Sequence, residues 1–270
     1  MTSKEGSASN SRLATIRVGT SGYSFADWVG NFYPHYTPQG KMLDYYVTRF
    51  PTVEINSTYY RVPHPAVMRN LARKAPDAFD LMVKVPQSFT HRRSDFESDI
   101  ARFIESIQPL AASGKLAGCL AQFPYSFRQS PAALAHVIRC REAVAPHQLF
   151  VEYRHASWSR RDILQRMASE KLGYVSVDEP ELPGLMDREL HATIDTAYVR
   201  MHGRNAAGWW ASGEERYNYL YSEDELDDLR KRIDRIRNKV SQIYVYFNNC
   251  YDGKAAANAL SFMRRLETGS

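Results

Sequence analysis

Short apolar or alternating runs recur along the chain at 15–20, 52–57, 79–85, 116–123, 148–154, 174–178, 197–202 and 242–248, each rich in β-branched or aromatic residues. Runs this short and this apolar are what strands buried on both faces require. Between them, the spacing of apolar positions predicts helices over 40–50, 65–73, 95–108, 131–145, 159–171, 222–239 and 253–266. Pro131 behind Ser130, and the acids Glu223 to Glu225 behind Ser222, are the residues that start helices. Strand–helix alternation predicts a parallel sheet, and eight strands favour closure into a (β/α)8 TIM barrel, one α/β domain over 15–268. A doubly wound open sheet is the alternative, but no GxGxxG follows the first strand. The stretch 179–193 carries two prolines and a poor helical period, so an irregular loop is expected there. Residues 1–14 are Ser-rich and lack the apolar stretch of a signal peptide, which predicts a disordered tail.

Composition narrows the class without naming a reaction. With 270 residues, 44% hydrophobic and 24% charged, the chain can build one large core without disulfide support. No apolar run approaches the roughly 18 residues of a transmembrane helix, so no membrane partner is expected. Cys119, Cys140 and Cys250 form no CxxC or Cys/His pattern, which predicts buried thiols in a reduced, cytoplasmic setting and no zinc. No cofactor motif is present. The net charge of +5 mildly favours anionic partners, although much of it lies in 230–239, interleaved with acids on one solvated helix face.

In a barrel of this kind, function gathers at the carboxyl ends of the strands, and here those ends are polar. Gly19-Thr20-Ser21-Gly22-Tyr23 follows the first strand. Glu54 and Asn56 share a face of the second, Asp80 and Lys84 of the third, and Glu152 and Arg154 of the fifth. Gln122, Asp178, Arg200 with His202, and Asn248 with Asn249 end the others. The rest of each strand is apolar, so these groups are expected to meet inside the mouth, paired or hydrated.

The segments Val18-Gly19-Thr20-Ser21-Gly22-Tyr23, Val53-Glu54-Ile55-Asn56-Ser57-Thr58-Tyr59-Tyr60, Val151-Glu152-Tyr153-Arg154-His155-Ala156-Ser157-Trp158, Tyr198-Val199-Arg200-Met201-His202-Gly203 and Tyr246-Phe247-Asn248-Asn249 resemble the signature segments of the domain-of-unknown-function 72 (YecE-like) family. The resemblance runs from about Arg17 to Leu266. It implies a TIM barrel and brings no established reaction. The polar motif positions it carries over are Glu54, Asn56, Tyr59, Lys84, His91, Glu152, Arg154, His202, Asn248 and Asn249. Cys250 stands where relatives often have His, which argues against a central role for that position.

Several chemistries fit these residues. Glu54 and Glu152, from strands two and five, can serve as an acid and base pair across the mouth; equally, each can balance a cation, Glu54 with Lys84 and Glu152 with a neighbouring Arg. Lys84 can act as nucleophile or base, and His202 as a proton shuttle. A metal is disfavoured because Lys84, Arg154 and Arg200 would repel it. An anion site is expected where Gly203-Arg204 and Asn249 to Gly253-Lys254 converge after strands seven and eight, with Arg154 and Arg200 as further donors. Trp209, Trp210, Tyr217, Tyr219 and Tyr221 would stack on a sugar or base, or would pin a long loop to the rim. Tyr23 and Tyr59 would line the opposite wall. The expectation is an acid–base or hydrolytic enzyme for a phosphorylated, sugar-containing or nucleic-acid-derived ligand. The alternative is a non-catalytic nucleotide or nucleic-acid binding module.

Overall fold

The computed structural model describes residues 13–93, 96–211 and 215–268. Eight strands, β1 (Thr15–Thr20), β2 (Thr52–Ile55), β3 (Asp80–Lys84), β4 (Leu116–Gln122), β5 (Leu149–Glu152), β6 (Gly173–Asp178), β7 (Thr196–Met201) and β8 (Gln242–Phe247), form one parallel sheet in the order β1-β8-β7-β6-β5-β4-β3-β2. The order returns to its start: β2 meets β1 through the parallel bridge Ser21 to Glu54. The result is a nearly closed (β/α)8 barrel, as the alternation of elements predicted. Among the described residues, eight α-helices lie between and after the strands: α1 (Met42–Tyr46), α2 (Ser57–Tyr60), α3 (Pro65–Lys74), α4 (Phe96–Ala112), α5 (Pro131–Val144), α6 (Arg161–Ser169), α7 (Glu223–Asp234) and α8 (Lys254–Thr268). Most of the disordered tail expected over 1–14, and the first residue of the helix expected at 95, lie outside the described residues.

The helix starts follow their local chemistry. Ser130 caps α5 by accepting from the Ala133 amide, 3.1 Å, with Pro131 in the first turn. Ser222 and Glu225 form a reciprocal capping box at α7. The stretch 179–195 is irregular, as its prolines predicted. Where a helix was expected over 40–50, only α1 and a 3-10 turn before it form, because the segment must turn back early to bury Tyr46 and Phe50. The second strand stops at Ile55 rather than at 57, since the Asn56 backbone already turns into α2.

Two apolar layers position the site. Outward strand residues such as Val53, Val83, Cys119, Val151 and Val245 join the helices in the main core. Inside the barrel, Met82, Leu120, Phe150, Val175, Tyr198, Tyr244 and Tyr246 form a second, smaller layer. The Phe150 ring occupies space left by Gly118 and Gly173; a Cβ on Gly173 would come within 2.4 Å of it. This apolar plug closes the barrel below the mouth, and most of the inward residues above it are polar. Beneath the plug, Arg17 pairs with Asp80 at 2.9 Å and Tyr244 donates to the same carboxylate at 2.6 Å, so Asp80 belongs to the floor and not to the mouth. Among the described residues, no helix is long and apolar enough to cross a membrane.

Candidate functional site

Strand alternation carries Glu54, Lys84, Gln122, Glu152, Arg154, Arg200, His202 and Asn248 to the inner face above the plug. Arg200 is the hub. Its Nε and Nη2 donate to the two oxygens of Glu54 at 2.9 and 2.7 Å, and its Nη1 donates to Glu152 at 2.5 Å. Nη2 also reaches the Ser21 hydroxyl at 3.3 Å. All three charged side chains are fully or almost fully buried. Glu54 further accepts from the Asn56 amide at 2.8 Å and from the Tyr198 hydroxyl. Burial pushes the Glu152 carboxyl up, but Arg154 and Arg200 more than reverse this, holding it well below the usual carboxylate range.

Both glutamates are therefore held by guanidinium groups, Glu54 by Arg200 and Glu152 by Arg200 and Arg154. Sequence left open whether they were an acid and base pair or ion-pair partners, and the geometry is that of ion pairs. The partner of Glu54 is Arg200, not Lys84 as expected. Lys84 donates instead to the neutral Gln122 side chain at 2.8 Å and lies 4.6 Å above the Tyr59 ring. Burial, and then the Arg200 guanidinium, lower its pKa to about 8, against the opposing pull of Glu54 and Glu152.

His202 is buried with its Nδ1 against the Asn248 amide, 2.9 Å, and its Nε2 3.2 Å from Glu152. Accepting from an amide at Nδ1 places the ring proton on Nε2. Burial and the Arg154 charge lower its pKa to about 3, which favours the neutral ring beside Glu152. His91 lies on a π-helical turn (Ser88–Arg92) against the Tyr59 edge; burial and Lys84 lower its pKa to about 4.

The anion site expected after strands seven and eight is not assembled. Arg204 makes a two-pronged pair with Asp178, 2.7 Å for each contact, and a further one with Glu225 at 3.0 Å. Asp178 points outward, because β6 turns Val175 into the barrel, and it is also held by Arg232 of α7 at 2.8 Å. Asn249 is buried, bracing the Tyr219 carbonyl and Asn258. The Asp252 amide, just ahead of α8, is already taken by Asp27 at 2.7 Å, and Lys254 donates to Asn218. Trp209 is buried between the Arg154 and Arg216 guanidinium groups, 5.9 Å from each; it roofs Arg154 and offers no open stacking face. Tyr23 packs on Tyr46 behind the mouth. Burial pushes the Cys119 and Cys140 thiols up to about 12 and raises that of Cys250.

The open space adjoins Arg200 and Lys84 and is lined in part by the loops after β7 and β8. A cavity of about 350 Å³ is bounded by Ser21, Asn56, Lys84, Gln122, Arg154 and Asn248, with Phe25, Tyr60, Tyr217 and Tyr251 toward its rim. Among the described residues no group of three or more His, Cys, Asp or Glu is placed to hold a metal.

This geometry sits in a chain with relatives. A family model described as protein of unknown function DUF72 matches residues 17–270. The chain belongs to the DUF72 family. A Thermotoga maritima DUF72 crystal structure is 41% identical, covers 93% of this chain and 99% of its own, and superposes with a TM-score of 0.86. An Enterococcus faecalis DUF72 structure is 28% identical over 94% of this chain and 96% of its own, with a TM-score of 0.84. The UPF0759 protein YunF of Bacillus subtilis is 29% identical over 93% of this chain and 95% of its own length. None of these descriptions carries a reaction, so the chemistry of this DUF72 barrel is argued from its own side chains.

Two members of the network escaped the sequence reading. Tyr198 stands two residues before Arg200, so alternation alone would have placed it on the inner face. Glu179 follows Asp178 directly; it is buried, accepts from the Met186 amide at 3.0 Å and lies 3.4 Å from Arg154. Burial outweighs Arg154 and raises its pKa to about 7. A carboxyl raised on folding binds more protons in the native state, so its contribution to stability is present at low pH and lost as pH rises through about 7. Glu179→Gln is therefore expected to gain on the native DUF72 protein by about 3 kcal/mol between pH 5 and pH 8. Denaturant melts at both pH values measure this, and a pH-independent difference between the two proteins would contradict the assignment.

Proposed function

We propose that this DUF72 barrel is an enzyme that acts on a small phosphorylated or otherwise anionic molecule, with Lys84 as the ligand's counter-charge and proton acceptor. One observation carries this reading: Arg200 and Arg154 consume both glutamates, which leaves Lys84 on the cavity wall with only a neutral amide partner. Lys84 is then the mouth cation without a carboxylate partner among the described residues, and Coulomb attraction to an anion is stronger at such a partly enclosed wall than in bulk water. Arg154, Asn56 and Asn248 supply further donors around the same cavity. A lysine whose pKa is lowered to about 8 exchanges its proton near neutral pH, which is what an acid–base catalyst requires. Glu54 and Glu152 act through Arg200, holding it and the cavity floor rigid.

Inorganic phosphate, sulfate and ribose 5-phosphate at millimolar concentration are expected to raise the melting temperature. Occupancy at a hundred times Kd adds roughly 2.7 kcal/mol, on the order of 5–10 °C for a chain of this length. Lys84→Met should abolish the gain and the surface variant Lys41→Met should keep it. Equal responses in both variants, or none in the native protein, would sink the reading.

The second reading, a non-catalytic nucleotide or nucleic-acid binding module, is favoured by Tyr60, which is 77% exposed on the cavity rim where a base would stack. Recovery of a bound nucleotide unchanged after prolonged incubation favours this module; its conversion favours the enzyme.

A further inference from the structure

A side chain that the proposed function uses as a counter-charge and proton acceptor has the surroundings of a nucleophile. The Lys84 amine projects from the end of β3 onto the cavity, and its hydrogen-bond partner is the Gln122 carbonyl oxygen at 2.8 Å. No carboxylate lies within ion-pair distance of it among the described residues, because Arg200 and Arg154 occupy Glu54, Glu152 and Glu179. The Tyr59 face, 4.6 Å away, fixes the stem on one side. Across the same cavity stand Arg154, Asn56 and Asn248, donors for an anionic group, and Phe25 and Tyr60, apolar surface for a short carbon chain. The Cys250 thiol also borders this space, but its pKa is raised by burial, with the Glu54 charge adding to that effect, which leaves the amine as the wall's available nucleophile.

We infer that Lys84 forms a covalent imine with a small carbonyl compound that carries a carboxylate or phosphate, the anionic end resting on Arg154 and the amides opposite. The inference rests on the mouth being an anion site and assigns its substrate class. In the step, the unprotonated Nζ lone pair adds to the carbonyl carbon, and the C=O π pair moves to oxygen, which takes one proton from nitrogen. The C–O bond then breaks, and the oxygen leaves as water with the second nitrogen proton. One amine and one carbonyl thus give one imine and one water, with no change of oxidation state. The open rim admits the proton carriers and releases the water. Protonated at nitrogen, the imine withdraws electrons from the neighbouring carbon, which is the use enzymes make of such adducts. The site supplies the neutral amine this needs: with the pKa lowered to about 8, about half of the side chain is unprotonated at pH 8, against well under one in a hundred for an ordinary lysine.

Reductive trapping tests this on the intact protein. Pyruvate supplies the carboxylate arm, glycolaldehyde phosphate the phosphate arm and acetone the uncharged control, each with cyanoborohydride, which reduces imines. The expected result is one adduct per chain, heavier by the carbonyl compound less one oxygen atom, mapped to the peptide holding Lys84. Its rate should exceed that on exposed Lys41 by about tenfold at pH 8, the larger neutral fraction being partly offset by lower basicity. The Lys84 rate should level off above pH 8, be slowed by inorganic phosphate, and vanish in Lys84→Arg, which keeps the charge and cannot form an imine. Labelling spread evenly over surface lysines, or an adduct in neither anionic arm, overturns the inference. If trapping fails while phosphate still stabilises native protein and not Lys84→Met, the imine is wrong and the anion site stands. Failure of both removes the two together.

Discussion

Arg200→Leu is expected to be the most damaging single substitution in the mouth, lowering stability by about 5 kcal/mol or more. Removing one partner of a buried ion pair typically costs about 3–5 kcal/mol, because the other charge is left without compensation. Here one guanidinium serves two buried carboxylates, Glu54 through two contacts and Glu152 through a third. For a chain of this length a loss of that size lowers the melting temperature by roughly 10–20 °C. The deficit should shrink as the medium is acidified. With Arg200 gone, the Glu152 carboxyl loses one of the charges that hold it down and binds protons more readily in the folded state. The variant therefore recovers stability at low pH relative to the native protein. Glu152→Gln should cost less, since Arg200 keeps its paired contact with Glu54. A loss below about 1 kcal/mol that does not change with pH would mean that the buried network is not what Arg200 supports.

Gly19→Ala carries the second large effect, and it acts on the barrel instead of the charges. A methyl group at this position would lie 2.2 Å from the Thr52 carbonyl oxygen and 3.0 Å from its carbon. Both atoms are backbone, so neither side chain rotation nor a small shift relieves the clash. Glycine here permits β1 and β2 to approach closely enough to complete the ring, where Ser21 bridges to Glu54. Forcing the strands apart should cost about 3 kcal/mol or more, the upper part of the range for overpacking, and should loosen the Ser21 contact to Arg200 as well. Gly40→Ala is the control: a methyl group there meets nothing within 4 Å. Chemical denaturation of the two variants measures the difference. Similar midpoints for both would show that the seam tolerates a side chain.

Much of this molecule is legible in its pattern of apolar positions. Eight apolar runs separated by helical periods became eight parallel strands in one sheet, and the prolines of 179–193 marked the connection that forms no helix. The inner face was legible too, because alternation is strict: Glu54, Lys84, Glu152, Arg200 and His202 all emerge on it, and Tyr198 and Tyr246 would have followed by the same count. Alternation failed at β6, where the apolar residues on both faces hid which of Val177 and Asp178 turns inward, and the acid went to Arg204 and Arg232 outside the barrel. It also failed at the end of β8, since Asn249 sits in a turn whose direction no period specifies.

The sequence by itself determined the barrel and most of the polar groups in its mouth, since the alternation of strands is local and burial of apolar faces follows from it. Tertiary structure alone decided the partners. Glu54 had Lys84 and Arg200 within reach of its side of the mouth, and only the packed geometry gave it the two-pronged guanidinium. That choice set the rest: it tied both glutamates to Arg200 and left Lys84 to face the cavity. Burial then shifted the protonation of Lys84, His202 and Glu179. Desolvation and Coulomb energies depend on distances between residues as many as 146 positions apart in the chain, and no local pattern of residues contains them.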